Sequence, residues 1–152
     1  MAVPNTVFLA GQPFLPQEKT ASEAITPGHL VEFVPTGGSA GQLRKHATAG
    51  GQATCMFALE VPTPDRRATT VPIDTPYQTG ETVHWVMAQK CELLALVPAS
   101  ASAIVTGDAL VSNGDGTLRK QGTGTEIVVA IAAEPVNNSA GGTPARIRIY
   151  GR

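Results

Sequence analysis

The sequence predicts an all-β fold, a small barrel or sandwich built from short strands. Three observations carry this. Glycine (16) and proline (12) are both abundant in 152 residues, whereas aromatic residues make up only 5%. That mixture favours strands joined by turns over long helices. Apolar residues reach 42%, enough to build a core and too many for a disordered chain. Finally, the chain says nearly the same thing twice: "GHLVEFVPTGGSAGQLRK" at 28–45 and "GDALVSNGDGTLRK" at 107–120.

Residues 1–23 contain Pro4, Pro13 and Pro16 and no sustained hydrophobic period. They read as an arm preceding a single domain at 24–152. Val7, Phe8, Leu9 and Phe14 are the candidate contact residues, because apolar side chains without a core of their own need a partner surface. The competing reading is a terminus packed on its own domain. Residues 24–61 form a first repeat. In "HLVEFV", Leu30, Glu32 and Val34 point one way and His29, Val31 and Phe33 the other. "PTGGSAG" is a turn, and "TCMFALEV" at 54–61 is a further strand. Residues 62–76 hold four prolines and the Arg66-Arg67 pair, as expected of a surface loop or edge.

The stretch 77–98 is the most apolar. "MAQKCELLAL" contains good helix formers, but the alternation of Val83, Trp85 and Met87, resumed by Cys91, Leu93, Ala95 and Val97, predicts a hairpin turning at Gln89-Lys90. It also makes Trp85 a core anchor. Residues 103–136 form the second repeat. The last strand, "TPARIRIY" at 143–150, places Ala145, Ile147 and Ile149 on one side and Arg146, Arg148 and Tyr150 on the other.

Aligning the repeats sets Gly28 on Gly107, an offset of 79. Leu30-Val31 then falls on Leu110-Val111 after a one-residue insertion, Leu43-Arg44-Lys45 on Leu118-Arg119-Lys120 (offset 75) and Glu60 on Glu134 (offset 74). The slippage lies in turns, where length changes cost little. Each repeat is a strand, a Gly-rich reversal, a return strand and a further strand. One hairpin alone is marginal in water, and two bury their apolar faces against each other. The Arg-Lys and Glu positions are expected to form a charged surface.

The net charge is −1, so no basic field favours nucleic acid. No apolar run approaches membrane-spanning length, and residues 1–14 lack the basic flank of a secretory signal. Cys55 and Cys91 are expected to be reduced and packed as small apolar groups. His29, His46 and His84 show no metal-ligand spacing, so no metal or other cofactor is expected. "SNGDGT" at 112–117 has a faint calcium-loop look, yet Asn-Gly and Asp-Gly are hairpin dipeptides first. "GGSAGQLRK" lacks the phosphate-loop order, no G-x-S-x-G occurs, and no carboxylate pair proposes acid–base work. No catalytic residue is nominated. Trimeric all-β dUTP pyrophosphatases share the size and fold class, but their Gly-rich Tyr- and Asp-containing motifs have no counterpart here.

The stretches "ITPGHLVEF" (25–33), "YQTGETVHWV" (77–86) and "AIVTGDALVSNGDGTLRK" (103–120) with "VVAIAAEPV" (128–136) resemble the head decoration (cement) proteins of tailed bacteriophages. The resemblance covers about residues 24–149 and rests on turn-and-strand patterns. It implies a small β-barrel or β-tulip with an N-terminal arm on the outside of an icosahedral head. Its implied partners are the major capsid protein and further copies of itself, as a homotrimer or a dimer. It implies no enzymatic duty, no membrane and no direct nucleic-acid contact. No functional residue carries over singly, and the Arg66-Arg67 loop lies outside the pattern. A head-fibre base or a carbohydrate-binding β module for host attachment is the alternative.

Overall fold

The computed structural model describes residues 6–11, 16–60 and 72–152, and every structural statement below concerns these. Phe14 and the Arg66-Arg67 pair lie outside them. Eleven strands follow in order: β1 (Phe8–Ala10), β2 (Gln17–Thr20), β3 (Val31–Phe33), β4 (Leu43–Lys45), β5 (Met56–Ala58), β6 (Thr82–Met87), β7 (Glu92–Val97), β8 (Ala109–Ser112), β9 (Leu118–Lys120), β10 (Ala130–Ala132) and β11 (Ala145–Gly151). A short 3-10 turn, Pro72–Asp74, precedes β6. The fold is all-β, as the glycine, proline and repeat pattern predicts.

The strands form a six-stranded sheet in the order β1-β7-β11-β10-β8-β9, a three-stranded sheet β2-β6-β5 and a two-stranded sheet β3-β4. The arrangement is sandwich-like, and the expected barrel does not close. Closure would require β9 to pair with β1 at the other end of the large sheet. Instead β9 packs against β7 without hydrogen-bonding to it, and Leu118 and Leu93 share one hydrophobic core.

The expected hairpin at 77–98 is also corrected. Both strands exist, but β6 belongs to the three-stranded sheet and β7 to the six-stranded one. The reason is burial on both faces. Leu93 to Val97 are all buried, so β7 has no polar face to turn outward and takes a central place between β1 and β11. The turn between them sets Lys90 at a φ of 59° and ties its N–H to the Gly151 carbonyl (2.9 Å).

Two cores result. The larger holds Leu30, Phe57, Leu93, Leu110, Leu118, Ile147 and Ile149. The smaller gathers Ile25, Val31, Leu43, Met56, Tyr77, Val83 and Trp85. Trp85 is the anchor its alternation predicts, with Phe33 packed edge-on against it at 5.4 Å between ring centroids. In β11 the burial alternates as expected, Ile147 and Ile149 inward, Arg148 and Tyr150 outward. Cys55 and Cys91 are buried and not joined in a disulfide.

Candidate functional site

The backbone repeats one five-residue turn three times: Ile25-Thr26-Pro27-Gly28-His29, Tyr77-Gln78-Thr79-Gly80-Glu81 and Ile104-Val105-Thr106-Gly107-Asp108. In each the fifth N–H donates to the second carbonyl, at 3.0, 3.0 and 3.1 Å. The fourth residue is glycine at φ of 92°, 87° and 90°, the left-handed conformation that this turn demands. The fifth side chain then accepts the second N–H: His29 Nδ1 at 3.0 Å, Glu81 Oε2 at 2.7 Å and Asp108 Oδ2 at 2.8 Å. A buried alanine completes each unit. Ala58, Ala21 and Ala132 accept the glycine N–H and return an N–H to the fifth carbonyl. The signal for the middle copy was in the sequence as apolar-x-x-Gly-acceptor, but sequence reasoning missed that it repeats the other two.

From the outer turns the chain runs into equivalent hairpins. Glu32 pairs with Arg44 as Val111 pairs with Arg119. His46 N–H donates to Leu30 as Gln121 N–H does to Ala109. The offset therefore stays 79 through the strand, and Val31, not Leu30, is the counterpart of Leu110. The inserted residue of the sequence alignment does not exist. Matching letters displaced the register by one, which in a strand exchanges the faces.

Of the nominated arm residues, the structure places Val7, Phe8 and Leu9 inside the sheet system. β1 pairs with β7, Val7 is fully buried in the larger core, and Phe8 and Leu9 are half-buried against it. Glu60 holds this edge: its carboxylate accepts Val7 N–H at 2.8 Å and Thr6 Oγ1–H at 2.6 Å. Its counterpart Glu134 likewise accepts a strand N–H, that of Arg148, at 2.8 Å. β2 pairs with β6 and is exposed along its whole length.

The titratable groups are tied into structure. His46 is buried: its Nε2–H faces the Gln52 carbonyl (2.9 Å), its Nδ1 meets Ser112 Oγ (2.7 Å), and Glu32 Oε2 lies 3.5 Å from Nε2. This Glu-His-Ser constellation resembles a hydrolytic triad in composition alone. Ser112 is fully buried, and its Oγ also accepts Gly114 N–H (3.1 Å), so the group links the two hairpins. Burial, reinforced by the Lys45 ammonium, pushes the His29 imidazole down to about 4. That suits its Nδ1, which must stay a lone-pair acceptor. Burial pushes the Cys55 thiol up to about 12, leaving it unreactive as a nucleophile. Charged surface pairs run across the strands: Arg44 with Glu32 (2.8 Å), Lys120 with Asp108 (2.9 Å) and Arg119 with Glu126. The Arg119 guanidinium holds the Glu126 carboxyl down at about 2. Arg146 ties Pro27, Ile73 and Asp74 together beneath a cleft that His29 also lines.

No family model matches the chain, and no curated protein matches it in sequence. Solved structures do match. One is the head fiber gp8.5 N base of bacteriophage phi29, at a TM-score of 0.59 and 13% identity, covering 91% of this chain and 93% of that one. At that identity the likeness is one of fold.

Proposed function

We propose that this protein is a structural component of a bacteriophage virion, mounted on the outer surface of the head. One observation carries the reading: the fold likeness to a phage head-fiber base runs over nearly the full length of both chains. The sequence resemblance to head decoration proteins, which rests on the turns now seen to be repeated units, points to the same part of the virion. In this role the chain works by surface contact. Its rigid turns hold short strands in fixed register, and many weak copies acting together on a shell bind firmly. The proposed partners are the major capsid protein and further copies of this chain.

Two finer roles fit. As a decoration protein it staples neighbouring capsid subunits, the role carried by the sequence resemblance. As a fibre base it seats a further protein on the head, the role that the structural neighbour's likeness to this chain suggests. Cryo-electron microscopy of particles made with and without the protein separates them. Decoration predicts density at regular positions over the whole shell and empty heads that break more readily on heating when it is missing. A fibre base predicts loss of fibres from heads of unchanged stability. Particles identical in density with and without the protein would overturn both.

A further inference from the structure

The buried Glu32-His46-Ser112 group has one further neighbour, the backbone of an Asn-Gly turn. A carbonyl can only accept, so in the neutral imidazole the hydrogen sits on Nε2, facing Gln52 (2.9 Å). Nδ1 is then a lone pair, and the Ser112 hydroxyl gives it a hydrogen at 2.7 Å. The lone pairs of Ser112 Oγ are left for the Gly114 N–H, 3.1 Å away. Further bonds pin the turn. Asn113 N–H donates to the Thr117 carbonyl (2.9 Å), Gly50 N–H to the Ser112 carbonyl (2.8 Å) and Asn113 Nδ2 to Asp115 Oδ2 (3.3 Å). Gly114 sits at a φ of 88° and lies against the loop that follows β4: a methyl group on it would stand 3.0 Å from Ala49 N.

Asn113-Gly114 is the one Asn-Gly pair in the chain. Glycine carries no side chain to hinder its nitrogen, so an asparagine before glycine closes most readily into a cyclic imide. Ring closure forms a bond from Gly114 N to Asn113 Cγ and breaks the Cγ–Nδ2 bond. The hydrogen of Gly114 N leaves with Nδ2 as ammonia. Water then opens the imide at either carbonyl. One product is aspartate. The other is isoaspartate, whose main chain runs through Cβ and Cγ and is longer by a methylene. Two movements must come first. The Gly114 N–H must leave Ser112, and the Asn113-Gly114 peptide must rotate until its nitrogen faces Cγ. The bonds between the hairpins oppose both.

We propose that Asn113 is a latent self-modification site, closed by the joint between the two hairpins and released when that joint opens. Ser112, oriented by His46, is the positioning residue, because it holds the hydrogen of the attacking nitrogen. Local opening frees the amide to cyclise, and isoaspartate makes the opening permanent. A turn lengthened by a methylene cannot return Gly114 to its place against Ala49 while Gly50 stays bonded to Ser112, since the contact has no room for an added carbon. Opening of the joint is thereby written into the covalent chain. The inference rests on the hydrogen bonds of the fold and stands apart from the virion reading.

The test ages the full chain in warm neutral buffer. Peptide mass mapping follows the conversion of Asn113, and chromatography separates the aspartate and isoaspartate products. The chain unfolded in urea should convert Asn113, with isoaspartate among the products, and the folded chain should convert it far more slowly. Ser112→Ala nearly keeps the volume and loses the acceptor. With its circular dichroism unchanged, it should convert about fivefold faster than the unmodified folded chain, the worth of one neutral hydrogen bond. A second measurement needs no variant: in the unmodified chain, urea below the unfolding transition should raise the conversion rate and the Gly114 amide exchange rate in the same proportion. The isolated isoaspartate form should exchange its Gly50 amide faster. Equal conversion rates in the folded and unfolded chains would overturn the proposal, as would a folded Ser112→Ala that converts at the unmodified rate. So would conversion that ignores the Gly114 exchange rate, or an isoaspartate form that keeps its Gly50 amide protected.

Discussion

The first hairpin, β3-β4, and the second, β8-β9, share a backbone and little else. Their turns, hydrogen bonds and Leu-Arg-Lys return strands correspond residue for residue. Yet Leu43 lies in the smaller core with Trp85, and its counterpart Leu118 lies in the larger core with Leu93. His29 sits where Asp108 does, so Lys45 turns to Glu23 while Lys120 pairs with the aspartate directly. The difference teaches that the repeated quantity is a hydrogen-bonding scheme. Side chains around it diverge freely so long as the fifth residue of the turn still offers an acceptor.

The largest way to separate the hairpins is through their cores. Trp85→Ala should cost about 3–5 kcal/mol and Leu118→Ala about 2–5 kcal/mol, the usual range for large buried side chains. Denaturant titration checks the totals. Hydrogen exchange should then show Trp85→Ala loosening 43–45 more than 118–120, and Leu118→Ala the reverse. Matching profiles would mean that the two cores act as one.

The turn glycines give a smaller contrast. All three hold the same φ, so Gly80→Ala and Gly107→Ala, whose new methyl groups meet open space, should each cost about 1–2 kcal/mol of backbone strain. Gly28→Ala should cost clearly more. Its methyl group would lie 3.0 Å from the Leu94 carbonyl oxygen and 2.9 Å from the Arg146 guanidinium. Equal losses in thermal unfolding would show that the turns are not packed as described.

Acid should part the hairpins more gently. His29 has a folded value of about 4 against an ordinary 6.5, so the unfolded chain takes up the proton first. Its contribution is complete above pH 6.5 and is lost as pH falls toward 4. Asp108 titrates below the usual carboxylate range, held there by the Val105 N–H and by Lys120, so its contribution persists into more acidic solution. His29→Asn keeps an acceptor for Thr26 and removes the titration. Stability measured between pH 7 and 4 should flatten in that variant, and an unchanged slope would assign it to another group.

Local pattern was legible in the sequence and long-range pairing was not. Alternation found β6, β7 and β11 and put Trp85 inside. It could not tell that β6 and β7 join different sheets, because pairing depends on which face each strand must bury. Val7 looked partnerless because its core is assembled from residues 30–149. The segment Ala21-Ser22-Glu23, which bonds along β4, lay in the presumed arm, since short polar segments carry no period. Apolar-x-x-Gly-acceptor was visible three times, but its meaning required the hydrogen bonds.

The smallest effect is also the most direct test of how the outer edges of β4 and β9 differ. The Lys45 and Lys120 amides occupy equivalent outward positions; Glu23 accepts the first, and among the described residues none accepts the second. Native-state hydrogen exchange of the full chain should find Lys120 exchanging much faster than Lys45, corrected for sequence, and Glu23→Ala should bring Lys45 to the Lys120 rate. Equal protection of the two amides in the unmodified chain would contradict the account.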